Sequence, residues 1–217
     1  QAALDIIDDV LARFSLNWED EPVRTIRFRI ASIANGFPYY VHLLMEKLIY
    51  TLYEDKGASV VEPQHLQRAI EVAVREAAEE IRKPYDQATR GRASVYKHIV
   101  WALADSWDLE RDTGSIYRSY CEISSQVGEQ PVTQTRMTQI LASMKKKNYG
   151  GLLLSGYRKG IYRFSENIMR GYVRMSAEAE GVALDEAMPI QGPAMTARAK
   201  EKRYVDPRRY GGPPRGF

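Results

Sequence analysis

Apolar residues along the front of the chain recur at the three- and four-residue spacing of amphipathic helices. Leu4, Ile7, Leu11 and Phe14 share one helical face. Val23, Ile26, Ile30 and Ile33 form the stripe of a second helix, opened by Pro22. Asn35-Gly36 ends it, because glycine accepts the left-handed conformation of a C-terminal cap. Pro38 suits the first turn of the next helix, where its missing N–H has no partner to lose. Val41, Leu44, Leu48 and Leu52 continue the apolar stripe to Asp55, and Lys56-Gly57-Ala58-Ser59 reads as a loop. A fourth helix starts at Glu62-Pro63, with Leu66, Ile70, Ala73, Ala77 and Ile81 facing inward, until Pro84 stops or kinks it. Four helices with short connections predict a compact bundle over residues 1–84.

Residues 85–91 read as a connector. Val95, Ile99, Leu103 and Trp107 then anchor a fresh helix, and Asp112-Thr113-Gly114 breaks the chain. Ile116, Tyr120, Ile123 and Val127 form the next stripe, followed by a turn at residues 128–131. Thr133 is placed to cap a further helix with Met137, Ile140, Leu141 and Met144 inward, ending at Asn148-Tyr149-Gly150-Gly151. Two short apolar runs, Leu152-Leu153-Leu154 and Ile161-Tyr162-Arg163-Phe164, flank a glycine-bounded loop and predict a β-hairpin. A last helix covers residues 167–179. The predicted fold is mostly α, with a second module over residues 92–180. Residues 181–217 are poor in aliphatics and rich in Pro, Gly and basic residues, and read as a disordered basic tail.

The 217 residues carry 31 Lys/Arg and 28 Asp/Glu, a net charge of only +3. That balance hides an asymmetry. Residues 1–89 hold ten basic and fifteen acidic side chains, net −5, whereas residues 90–175 hold fourteen and seven, net +7. A basic module beside an acidic one suggests different partners, the basic one facing an anionic polymer. No apolar run approaches the ~18–20 residues that span a bilayer. The single cysteine, Cys121, excludes an internal disulfide framework. The expectation is a cytoplasmic chain with no membrane partner. Gln1 replaces an initiator Met and falls inside a helical pattern, as expected of a piece of a longer protein.

The helix after the 128–131 turn carries the candidate chemistry. Gln134, Thr135, Arg136, Thr138, Gln139 and Ser143 occupy its non-core positions, and Gln, Thr and Arg can read base edges or hold phosphates. Lys145, Lys146 and Lys147 follow at the helix end, where cations also favour the helix dipole. The hairpin tip presents Tyr157, Arg158 and Lys159, suited to phosphate or minor-groove contact. The same scaffold could instead mediate protein contacts, with the lysines solvating a helix end. In the tail, Arg208-Arg209-Tyr210-Gly211-Gly212 and its neighbours mix Arg, Gly and aromatics, which either bind nucleic acid by charge and stacking or form a solvated end.

The order helix, helix, turn, helix, hairpin over residues 92–165 resembles a winged helix-turn-helix domain. The corner Asn35-Gly36-Phe37-Pro38-Tyr39 between the second and third helices resembles the sensor-2 corner of the four-helix lid in AAA+ ATPases. Together, over residues 1–175, the two resemble the C-terminal half of origin-recognition-type and related bacterial AAA+ ATPases. The resemblance implies a lid, with Gly36, Pro38 and Tyr39 at a nucleotide-sensing corner, followed by a winged helix that binds double-stranded DNA. It also implies a preceding ATPase core that holds ATP and Mg²⁺, and an oligomer of the parent is among the partners it allows. In many members an arginine three residues after the glycine touches the γ-phosphate. Here that position is Tyr39, which can stack or donate a hydrogen bond but has no fixed charge. Arg24, Arg27 and Arg29 on the preceding helix either stand in for that arginine or, the reading favoured here, are surface charges.

The chain contains no G-x-x-x-x-G-K-[ST] phosphate loop. On this reading it is not itself an enzyme, and ATP chemistry belongs to the parent protein. His42, His65 and His98 lack the spacing of metal ligands, and Cys121 reads as a core thiol. Asp5, Asp8 and Asp9 open the first helix, where negative charge is favourable. The alternative from another class is a signalling NTPase whose winged helix packs against its own ATPase core as an autoinhibitory latch. DNA titration at several salt concentrations separates the two.

Overall fold

The computed structural model describes residues 2–14, 21–55 and 60–184. The Lys56–Ser59 loop and residues 185–217 of the expected tail, including its arginine- and glycine-rich end, lie outside the described residues, whereas the tail's first residues, 181–184, are described and bury Val182 and Leu184. The described chain is mostly helical, with helices α1 (Ala2–Arg13), α2 (Val23–Ala34), α3 (Pro38–Glu54), α4 (Pro63–Glu76), α5 (Glu79–Thr89), α6 (Ser94–Ala104), α7 (Thr113–Gln126), α8 (Gln134–Ser143) and α9 (Met169–Ala179). Three short strands, β1 (Arg111–Asp112), β2 (Leu153–Ser155) and β3 (Ile161–Phe164), form an antiparallel sheet in the order β1-β3-β2. Among the described residues, no helix is long and apolar enough to cross a membrane.

The corner between α2 and α3 forms as the sequence requires. Asn35 (φ 49°) and Gly36 (φ 81°) both adopt the left-handed region, and Pro38 begins α3. The stripes of α2 and α3 are buried at Val23, Ile26, Ile30, Ile33, Val41, Leu44 and Leu48. In α1 only Ile7 and Leu11 are buried; Phe14 lies past the helix end and is exposed.

The fourth predicted helix is two. The break falls at Ala77-Ala78, whose ψ angles of 145° and 139° are extended, and Pro84 lies inside α5. A tertiary contact sets this position. The N–H of Ala78 donates to the Tyr39 hydroxyl at 3.0 Å, and Arg82 Nη1 donates to the Arg75 carbonyl at 2.6 Å. These bonds occupy a donor and an acceptor that a broken helix leaves free. Residues 85–89, expected as connector, continue α5, and Tyr85 is a core residue. Its hydroxyl accepts from Trp101 Nε1 and Ser176 Oγ, each at 3.1 Å. Burial pushes its pKa up to about 12.

His65 is a capping residue rather than a ligand. Its Nδ1 accepts from the Glu62 N–H at 2.9 Å, which leaves Nε2 to face Asp55 at 3.2 Å, so one ring ties the end of α3 to the start of α4.

The fresh helix α6 ends at Ala104, short of Trp107, which is therefore not one of its anchors. Three arginines satisfy carbonyls at and beyond this end, the acceptors a terminating helix leaves open. Arg111 donates to Ala102 and to Asp105 (3.1 Å), Arg174 to Ala104 (2.8 Å), and Arg170 to Trp107 (3.1 Å). Burial, with Arg174 and Arg111 nearby, brings the Arg170 pKa down to about 10. Arg111 also starts β1, and Asp112 caps α7 by accepting from the N–H groups of Gly114 and Ser115. Those bonds, led by Ser115, hold its carboxyl below the ordinary aspartate range. The break read at Asp112-Thr113-Gly114 is thus a strand end joined to an N-cap.

Helix α9 is buried on every side from Met169 to Glu178 and packs against α2, α4, α5 and α6. Gly171 meets the Tyr40 ring, and the Tyr40 hydroxyl donates to the Ile168 carbonyl at 2.6 Å. Arg29 reaches Glu178 at 2.6 Å, and Gln67 Nε2 reaches the carbonyl of Ala179 at 3.2 Å. Through α9, the front helices and the helices preceding the hairpin share one core.

Candidate nucleic-acid interface

Helix α8 turns one face inward and one outward. Met137, Ile140, Leu141 and Met144 are buried, and the Thr133 hydroxyl caps its start by accepting from Arg136 N–H at 3.3 Å. Gln134, Thr135, Arg136 and Gln139 are all exposed, with Arg136 Nη1 donating to Gln139 Oε1 at 3.3 Å. Thr138 and Ser143 direct their hydroxyls back to the carbonyls of Gln134 and Gln139, each at 2.9 Å, so those hydrogens are engaged by the helix itself.

The lysine run and the hairpin meet. Lys145, Lys146 and Lys147 are exposed, and Lys145 Nζ donates to Ser155 Oγ at 3.0 Å, across from the end of α8 to the end of β2. The Leu153 N–H adds a backbone bond to the Met144 carbonyl at 3.3 Å. The hairpin has the predicted strands, paired Leu153 with Phe164 and Ser155 with Tyr162. Gly156 is required by space, because a Cβ there would fall 2.3 Å from Ile161 Cγ2. Gly160 is required by its φ of 85°. Between them Tyr157 is 75% exposed, Arg158 lies 5.3 Å from its ring centroid, and Lys159 is exposed. Six cations therefore line α8, the lysine run and the hairpin tip: Arg136, Lys145, Lys146, Lys147, Arg158 and Lys159.

The α2–α3 corner has a different environment. Gly36 and Pro38 are exposed, and the Tyr39 ring packs edge-on to Tyr40 at 5.1 Å. Tyr39 has its oxygen engaged by Ala78. It carries no fixed charge, and its hydroxyl, which accepts from Ala78, keeps its own hydrogen to donate. The arginines of α2 divide. Arg24 is exposed, but Arg27 is buried in a bidentate pair with Asp8 (Nη2 to Oδ2 2.5 Å), and Arg29 pairs with Glu178. Neither is a simple surface charge, because each joins two helices. Burial raises the Glu178 pKa, against the pull of Arg29. Asp9 pairs with Arg13 at 2.7 Å.

Cys121 is half-exposed on α7 rather than a core thiol. His42 is exposed, and His98 is buried with Nδ1 3.5 Å from Glu129. Among the described residues no three His, Cys, Asp or Glu side chains come together to hold a metal ion.

Sequence reasoning missed a second cluster beside the lysine run. The Arg92 guanidinium lies 3.9 Å from the Tyr149 ring centroid and 5.6 Å from that of Tyr96, and the two rings are within 10° of parallel. Arg92 was expected next to a connector and Tyr149 at a helix end, so no local pattern paired them. Compared with known proteins, the sequence matches no family model and no curated protein.

Proposed function

We propose that this chain is the lid and DNA-binding winged-helix portion of an AAA+-type ATP-binding protein. One observation carries the DNA reading: the exposed polar face of α8 runs into the lysine run and, through Lys145–Ser155, into the hairpin tip. In this reading α8 is the recognition helix and β2–β3 the wing. The order α6, β1, α7, α8, β2, β3 and the β1-β3-β2 sheet support it. Gln134, Thr135, Arg136 and Gln139 contact base edges or phosphates. Lys145, Lys146, Lys147, Arg158 and Lys159 neutralise phosphates, and Tyr157 packs against the sugar–phosphate edge. ATP and Mg²⁺ belong to the ATPase core of the parent. The corner at Gly36, Pro38 and Tyr39 is the nucleotide-sensing corner of this reading, with the Tyr39 hydroxyl as a neutral donor where other members hold an arginine. Its coupling to DNA runs through packing, from Tyr40 to Ile168 and Gly171 at the start of α9, directly after the wing.

The test is a fluorescence titration of labelled duplex DNA at several salt concentrations. With about three to five phosphates neutralised, log affinity falls with log salt at a slope of roughly −3 to −4.5. Replacing Lys145, Lys146 and Lys147 together by Ala flattens that slope. Arg158→Glu with Lys159→Glu weakens binding and leaves the melting temperature nearly unchanged, because exposed substitutions cost within about 0.5 kcal/mol. No binding at low salt, or parent-like binding by both variants, removes the DNA reading. The surface is then better assigned to protein contact with the ATPase core.

A further inference from the structure

The Arg92 cluster has the construction of a ligand site. Arg92 is exposed, and among the described residues it has no carboxylate partner. Its two carbonyl contacts, from Nη2 to Gln87 and to Asn148, are both 3.4 Å, longer than an ordinary N–H···O bond. The guanidinium is therefore held chiefly by its cation–π contact with Tyr149, with Tyr96 beside it. The backbone that carries Tyr149 is fixed. It closes the 3₁₀ turn Lys147–Tyr149, whose next residue, Gly150, lies against α5 so closely that a Cβ would fall 2.6 Å from the Pro84 carbonyl. Its N–H is bound by the Lys146 carbonyl at 2.9 Å. The result is a cation–aromatic cluster whose Tyr149 shares its turn with the exposed Lys147 and follows the exposed Lys146.

We propose that Arg92, Tyr96 and Tyr149 form a stacking platform for an unpaired nucleotide at the edge of the duplex-binding face. The proposal rests on the nucleic-acid reading of that face and extends it from duplex to a duplex with an unpaired end or bulge. The chemistry selects this ligand. A planar guanidinium on an aromatic ring presents a flat face that a nucleobase can cover, and the adjacent ammonium groups hold its phosphate. A base inside a duplex has both faces covered by its neighbours, and one at a blunt end has a single open face, so an unpaired base is the one free to lie flat on the platform.

The experiment compares a blunt duplex, the same duplex with a short single-stranded thymidine overhang, the same overhang built from abasic residues, and the thymidine strand alone. Fluorescence anisotropy reads each against the whole chain. The natural overhang tightens binding by at least about fivefold, the scale of one stacked base. The abasic overhang, with equal charge, gives no such gain. Tyr149→Ala and Arg92→Ala each remove the gain while changing blunt-duplex binding far less, and Tyr149→Phe keeps it. Arg92 is exposed, so its variant carries the test should Tyr149→Ala fail to fold by circular dichroism. A gain as large with abasic residues, or one that survives both alanine variants, overturns the platform. If the blunt duplex does not bind but the single strand does, in a Tyr149-dependent way, the platform stands and the duplex reading falls. If neither binds, both fall.

Discussion

Gly171→Ala sets two well-known effects of opposite sign against each other at one atom. Gly171 lies inside α9, where alanine is favoured over glycine by about 1 kcal/mol. On helix propensity alone the substitution stabilises the protein. The structure predicts the reverse. The new methyl would fall 2.4 Å from both Cδ2 and Cε2 of Tyr40, whereas carbon atoms pack at about 3.5–4.0 Å. Tyr40 is fully buried, its hydroxyl is bound to the Ile168 carbonyl at 2.6 Å, and its ring is edge-on to Tyr39 at 5.1 Å. The ring therefore has no free direction in which to move by the ångström required. Overpacking of this kind costs about 1–3 kcal/mol, here toward the upper end, so the net change is a loss of about 1–2 kcal/mol. For a chain of this size that lowers the melting temperature by about 2–8 °C. Thermal and urea unfolding followed by circular dichroism measure it. Tyr40→Leu opens the space, so the double variant should be less destabilised than the two single losses added together. A Gly171→Ala protein as stable as the parent, or more so, would refute the contact between α9 and the start of α3.

Gly36→Val places a β-branched residue at φ 81° with no neighbour within 4 Å of its Cβ, so backbone strain is the whole effect. The expected loss is above ~1 kcal/mol in urea unfolding, and an unchanged midpoint would mean that α2 does not turn there. Tyr85→Phe takes the acceptor from the indole N–H of Trp101 and the hydroxyl of Ser176, a loss of about 1–3 kcal/mol. Stability equal to the parent's would show that the buried network is not formed. Burial lowers the His98 pKa, opposed by Glu129. The unfolded chain then binds the proton more readily. The neutral ring's contribution is complete above the ordinary value of ~6.5 and is lost as pH falls below it toward the lowered folded value. The parent should lose more melting temperature between neutral and mildly acidic buffer than His98→Gln does; equal losses would exclude this linkage.

Local pattern alone determined most helices and the hairpin. The stripes Val23–Ile26–Ile30–Ile33 and Met137–Ile140–Leu141–Met144 are buried as their periodicity requires, because burial of one helical face follows from spacing within a few residues. Asn35-Gly36 and Gly160 mark turns for a reason equally local, a left-handed backbone that few side chains adopt. The outward residues of α8 and the hairpin tip were legible for the same reason: a position absent from the apolar stripe faces outward.

Tertiary structure decided what sequence spacing does not encode. The helix breaks at Ala77-Ala78 rather than Pro84 because a hydroxyl 39 residues away accepts the Ala78 N–H. Arg27 and Arg29 look like surface charges on a polar helix face, but Asp8 and Glu178 approach that face from other helices. Tyr85 looks like linker and is core, since only the fold brings Trp101 and Ser176 to its oxygen. The cation–π contact of Arg92 with Tyr149 joins residues more than fifty positions apart. Periodicity reports which face of an element is buried. It does not report what arrives to bury it, because that depends on elements distant in sequence meeting in space.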